Sequence, residues 1–249
     1  GAPPAFEDAA GGVTFKEGGT NFTNSLLVGT SSTGTLNAAQ KNVGVGTTVF
    51  AALTSGDNNT AVGFDSLKAN TTGSSNTGMG NNALGANTTG ASNVGIGSGT
   101  LDANTEGDAN TAVGASAYTT GTTGIQNTAI GRSALSANTT ASGNVAVGAF
   151  SLQTNTEGFS NVAIGTCQPS GYGAALEVNT TGDCNVAVGN GALRSNTTAN
   201  NNTAVGTLAS GCNTTGADNT SVGKKALQVN TTGCRNVAVG SCALIANTT

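Results

Sequence analysis

The chemistry open to this chain is bounded by twelve carboxylates, five cysteines and no histidine. Without imidazole, most nucleophile–base triads and the commonest metal ligand are out of reach. Two carboxylates could still cleave a glycoside, provided they stand about 5–9.5 Å apart. Here the acids are mostly solitary. Glu106 and Glu157 share one position of an internal repeat but lie three repeats apart, about 14 Å at the spacing of stacked strands. Asp57, Asp108 and Asp183 share another position, with no two in adjacent repeats. Strings such as Gly44-Val45-Gly46, Gly78-Met79-Gly80 and Gly95-Ile96-Gly97 are not phosphate loops, because no Lys-Ser/Thr follows them. The cysteines lack the paired short spacings of a zinc site, and the calcium-binding nonapeptide pattern is missing. The expectation is a protein that is not an enzyme, with no catalytic, cofactor-binding or metal-binding residues and no cofactor.

The cysteines lie between Cys167 and Cys242. Two readings stay open: buried thiols, or disulfides that staple the C-terminal part of the chain. In the second, Cys167–Cys184 and Cys212–Cys234 are the pairs, and Cys242 is free or cross-links two chains. Asn-x-Ser/Thr sequons recur at Asn70, Asn87, Asn138, Asn179, Asn196, Asn213 and Asn230. They arise chiefly because the repeat turns on Asn-Thr-Thr. In a producer that glycosylates exported proteins, these corners would carry sugars along one edge.

Composition narrows the class further. Charged residues are 8% of the chain, against about 25% in ordinary domains. The net charge is −4, and the basic residues are scattered, with Lys224-Lys225 the only adjacent pair. No basic stripe is available for nucleic acid. No apolar run approaches the 18 or so residues that would span a membrane. Low charge could signal disorder, but disordered chains are rich in Pro, Glu and Lys, and this one has 3 Pro and 39 Gly with β-branched residues at fixed spacing.

That spacing is 17 residues. With the asparagine of Asn59-Thr60-Ala61-Val62-Gly63 as position 0, the same position returns at Asn76, Asn93, Asn110, Asn127, Asn144 and Asn161. After a coil longer by seven, it continues at Asn185, Asn202, Asn219 and Asn236, and backwards it reaches Asn42 and Ser25. The reading is an all-β chain: a parallel β-solenoid of thirteen 17-residue coils over residues 25–249, with the insertion near 167–174. Residues 1–24 lack the repeat and form an N-terminal cap or linker. At about 4.8 Å per coil the stack is a rod roughly 60 Å long.

Each column has its own physics. Position +3 is Val, Ile or Met throughout, +1 is Thr or Val apart from Leu26, and +8 is usually Leu. Positions +1 and +3 lie on one strand face, and with +8 they are expected to form a thin core. Position +4 is Gly in every coil, which calls for a positive φ or a close backbone approach. Position +11 is Asn in ten coils, where stacked amides can bond to one another or to neighbouring backbone. Position +2 is Ala or Gly in eleven coils. If +1 and +3 face inward, +2 faces out, and a small outward column implies a second backbone packed there. The eight alanines Ala61, Ala112, Ala129, Ala146, Ala163, Ala187, Ala204 and Ala238 are then the seam of a homo-oligomer. The alternative is a two-layered coil in which +2 faces a second interior.

The Asn-Val-Ala-Val-Gly form, at Asn144–Gly148, Asn185–Gly189 and Asn236–Gly240, resembles the head repeats of trimeric autotransporter adhesins. The longer pattern Asn-Thr-Ala-Val-Gly-x-x-Ala-Leu-x-x-Asn-Thr-Thr-Gly is similar to repeats of phage and large-virus tail-fibre proteins. The adhesin repeats are usually shorter, and no stalk, anchor or chaperone segment is present. The resemblance implies a left-handed β-roll that trimerises, displayed extracellularly, on a cell surface or on a virion. Function would then be that of a structural or adhesive fibre, shaft or head, meeting a cell-surface glycan or protein receptor, with no nucleic acid and no membrane insertion. Two other readings compete. Position +12 is Thr in twelve coils, the kind of rank an ice-binding solenoid uses, and a rod that stacks end to end would be a filament or appendage subunit.

Overall fold

A computed structural model describes residues 15–17, 22–29, 33–167 and 171–248, and the chain is all-β. Thirteen three-residue strands, from Leu26–Val28 to Val237–Val239, stack as one parallel sheet in chain order. Every strand pairs with the equivalent residues of the next coil: Thr128, Ala129 and Ile130 stand beside Val145, Ala146 and Val147. The twelve steps between thirteen strands span about 58 Å at the usual strand spacing. The strand Phe15–Glu17 runs antiparallel along Leu26–Val28, on the outer edge of the first coil.

The strand faces are the reverse of the expectation. Ala61, Ala112, Ala129, Ala146, Ala163, Ala187, Ala204 and Ala238 are buried inside their own coil, and they cannot meet a sister chain. The larger residues at +1 and +3 point outward, with Val45, Ile130 and Ile164 each 40% exposed. A second backbone does pack against the small column, but it is the far wall of the same coil. A 17-residue turn encloses too little space for two opposed branched side chains. The interior of a coil is one Leu at +8, small residues at +2 and +7, and two asparagines, as in Leu135, Ala129, Ala134, Asn127 and Asn138, all 0% exposed. Where a wall residue grows, its partner shrinks: Gly44 sits under Phe50, and a Cβ there would lie 3.0 Å from the ring.

Tight corners close the coil. The +4 glycines hold φ between 123° and 141° in most coils, and each faces the +4 glycine of the next coil at backbone contact. A Cβ on Gly131 would lie 2.7 Å from the carbonyl oxygen of Gly148 and 2.8 Å from the nitrogen of Ala149. Non-glycine residues take left-handed conformations too. The +8 leucines do so, with Leu84 at φ 54° and Leu135 at 54°, and so do the residues before position 0, such as Ser92 at 59° and Gln126 at 58°. Each such residue costs on the order of 1–2 kcal/mol, which the leucines offset by burial of about 1.5–3 kcal/mol.

The seven-residue insertion leaves this frame intact. Val162–Ile164 pairs in register with Val186–Val188, and Ala175 N–H reaches the Gly165 carbonyl at 3.4 Å. That bond is the counterpart of Ser151 to Gly148 at 3.2 Å in the previous coil. The extra residues therefore leave and rejoin at the corner after +6; residues 168–170 within them lie outside the described residues.

Substitution at two corners should act in opposite directions. Gly131→Ala meets both the wrong φ and a backbone wall, and should lower the unfolding free energy by about 3 kcal/mol or more. Gln126→Gly places in the exposed column the residue type that Gly143 already supplies at φ 71°, and should raise it by up to about 1 kcal/mol. Urea-unfolding midpoints check both.

Candidate assembly surface

Two ladders of amides hold the interior. In the first, the Oδ1 of each position-0 asparagine accepts the backbone N–H of the equivalent asparagine one coil on: Asn144 N–H to Asn127 at 3.0 Å, Asn161 N–H to Asn144 at 2.9 Å. Its Nδ2 donates across the coil to the carbonyl at +14, as Asn144 does to Gly158 at 2.9 Å. In the second, the +11 asparagines bond amide to amide, with Asn196 donating to Asn179 at 2.9 Å and Asn213 to Asn196 at 3.0 Å. Each also donates to the carbonyl three residues on. Type and spacing alone do not foretell the first ladder, although its column departs from Asn only at Ser25.

These bonds decide the fate of the sequons. Asn70, Asn87, Asn138, Asn179, Asn196, Asn213 and Asn230 are all fully buried. The Nδ2 that would carry a sugar is engaged inside the wall. Glycosylation at these seven is incompatible with the folded coil. Asn58 and Asn201 are sequon asparagines that do face solvent.

The cysteine readings also change. All five are free thiols, four exposed and Cys212 half-buried, so they are neither core thiols nor the disulfides Cys167–Cys184 and Cys212–Cys234. The members of each pair stand in different columns of the coil, which carries them to different corners. Cys234 has a backbone role: its Sγ accepts the Ala217 N–H at 3.3 Å. Carboxylates at the same column do likewise. Asp57 accepts from Gln40 at 2.7 Å, Asp108 from Ala91 at 2.7 Å and Asp183 from Phe159 at 2.9 Å. These acids cap the coil below them rather than face one another.

Threonines at +12 spend their hydroxyls in the same way. Thr71 Oγ1 donates to the Thr88 carbonyl at 3.0 Å and Thr88 to Thr105 at 2.9 Å. The exposed threonine rank is the next one, including Thr72, Thr89 and Thr123, and it lies in a bend rather than on the sheet. Elsewhere on the surface a shallow groove of about 490 Å³ is lined by small residues with Lys68, Asn82 and Asp102. Its polar groups are already partnered. Lys68 pairs with Asp65 at 3.0 Å. The Thr48 hydroxyl, with help from Lys68, holds the Asp65 carboxyl below its ordinary pKa. Asp102 takes the Asn82 amide, and desolvation raises its pKa.

Among the described residues, what remains unpartnered is the outer face of the sheet. Its +1 and +3 ranks carry six threonines and twenty aliphatic or methionine side chains and no charge, in unbroken register over the whole stack. No family model, no curated protein and no solved structure matches the chain.

The second ladder has one break. At position +11 of the coil opened by Asn110 stands Gly121, and the space is filled by Tyr118 from +8, whose hydroxyl accepts from Asn127 at 3.1 Å. A Cβ on Gly121 would lie 2.0 Å from Cε2 of the ring. Asn104 Oδ1, which would have met an asparagine there, is the one buried side-chain polar atom without a partner among the described residues. Burial pushes the Tyr118 phenol up to about 12.

Asn144→Ala removes two bonds and orphans the Asn161 N–H, while the Gly158 carbonyl keeps the Asn155 amide at 2.7 Å; with about 1–3 kcal/mol for the buried group left unmade and about 1 kcal/mol for the second bond lost, it should cost roughly 2–4 kcal/mol in urea unfolding. Gly121→Asn alone should destabilise by collision with the ring. Joined to Tyr118→Leu it completes the ladder, and the pair should exceed the parent chain in stability. Because the folded phenol ionises later than the unfolded one, the parent has a contribution to stability that is complete below pH 10 and lost as pH rises to about 12. The double variant should lack that decline.

Proposed function

We propose that this chain is a non-enzymatic fibrous rod, the shaft or head of a viral tail fibre or a surface adhesin, displayed outside the cell or on a virion. The carrying observation is the unbroken register of thirteen strands, with interior amides bonded coil to coil along almost its whole length. Such a stack resists bending because a bend must open backbone and side-chain bonds together. The carboxylates at the recurrent acidic column serve as caps for backbone N–H groups, a mechanical use of groups that hydrolysis would need free. Side chains that would recognise a cell-surface glycan or protein receptor would then sit on the corners, where sequence varies from coil to coil. The rod assembles as a homo-oligomer, a trimer or an end-to-end filament.

Immunogold labelling with an antibody to the rod tests this reading. Label on fibres projecting from the producing cell or its particles is the expected result, and label confined to the cytosol would overturn it. Ice crystals whose growth is arrested by dilute rod would instead establish the ice-binding alternative.

A further inference from the structure

The outward sheet face is too large and too apolar to be an ordinary solvent surface. Three residues wide and twelve steps long, it covers about 10 by 58 Å, or about 600 Å² per copy. Exposed apolar patches on monomeric soluble proteins rarely exceed a few hundred Å². Two such faces pressed together would bury about 1,200 Å², the lower bound of a stable specific interface.

The charges beside the face say which way a second copy lies. The edge just after each strand, at +5 and +6, carries Arg132, Lys224 and Lys225 against Asp65. The edge just before each strand, in the two columns preceding position 0, carries Asp57, Asp108, Asp183 and Asp218 against Lys41 and Arg235. One flank is therefore net positive and the other net negative. Turning a copy by half a turn about an axis along the rod sets its acidic flank against the basic flank of the first. Turning it about an axis across the rod sets like against like. In the parallel arrangement Lys224 and Lys225 of one copy face Asp218 of the other at the same coil, the one opened by Asn219; within its own chain Asp218 already takes the Asn201 amide at 3.2 Å and has Arg235 at 4.0 Å. Exposed pairs of this kind contribute little affinity, but they select orientation, as charges around an apolar seam do.

We propose that this face is covered by a second copy of the chain, parallel to the first and in register with it. The seam is the +1/+3 face, on the side of the strand opposite the alanine column. The proposal deepens the reading of the rod as a self-associating fibre element.

Light scattering, with small-angle scattering to check the rod shape, should give a dimer for the unaltered chain, and a trimeric mass would overturn the two-fold pairing. Ile130→Lys with Val147→Lys should give a monomer with unchanged circular dichroism and a urea midpoint that no longer rises with protein concentration. For orientation, the five cysteines are replaced by serine, which keeps an acceptor at 234 as Ser74 does at its own coil. Chains carrying Thr60→Cys in that background, mixed with chains carrying Val62→Cys, which the half turn sets opposite it, should be joined by a short bismaleimide. A monomeric mass for the unaltered, rod-shaped chain would overturn the seam and leave the immunogold test of the fibre untouched. A multimer that survives the double lysine change would overturn the choice of face. Thr60 and Thr203 are mirror positions about the middle strand, Thr128–Ile130. Cross-links that form only on mixing Thr60→Cys with Thr203→Cys chains would overturn the parallel arrangement.

Discussion

The structure depends on how close the two walls of a coil stand. With about a Leu and two small residues between them, an amide pointing inward is cut off from solvent and must find its partner in the protein or go without, as the Asn104 Oδ1 does. The position-0 and +11 asparagines meet that demand by bonding along the stack. Asn127, Asn144 and Asn161 each accept from the next coil and donate across their own. A coil is completed only by its neighbour, which is why the period stays at 17 residues and why the one longer coil expels its extra residues at a corner.

The same narrowness decides what faces outward. Branched side chains favour strands but do not fit between the walls, so they occupy the outer face, and the small residues take the inner one. The result is a sheet whose hydrophobic side is outside and whose interior is half polar. This inversion, rather than any cluster of reactive groups, is the chemical signature of the chain, and it moves the question of function from pockets to surfaces.

Much of this was legible in the columns. The strand at +1 to +3, the glycine corner, the Asn ladder at +11, the inward leucine at +8 and the place of the insertion all follow from type and spacing. The strand polarity did not, because the usual rule puts the larger apolar residues inside, and nothing in Thr111-Ala112-Val113 alone tells how near the opposite wall stands. Only the conditional reading of the sequons as sugar-bearing corners fails, and for a related reason: the asparagine of Asn-Thr-Thr turns inward to bond with Gly or Ala three residues on. Left-handed leucines were likewise invisible, since Leu84 and Leu135 have no local reason to leave the right-handed region. Packing imposes the conformation.

Those strained backbones have a thermodynamic consequence for the chain as a whole. A single isolated turn carries its left-handed residues and unmet amides with nothing to offset them, so its own free energy is unfavourable and all the stabilisation resides in the junctions between turns. Stacks of this kind obey nearest-neighbour statistics with strong coupling, and they melt as one unit or split at the weakest junction. The interruption at Tyr118 and Gly121, beside the orphaned Asn104 oxygen, marks such a junction near the middle of the rod. It is a natural boundary between two cooperative blocks, and a place for unzipping to begin other than at the ends.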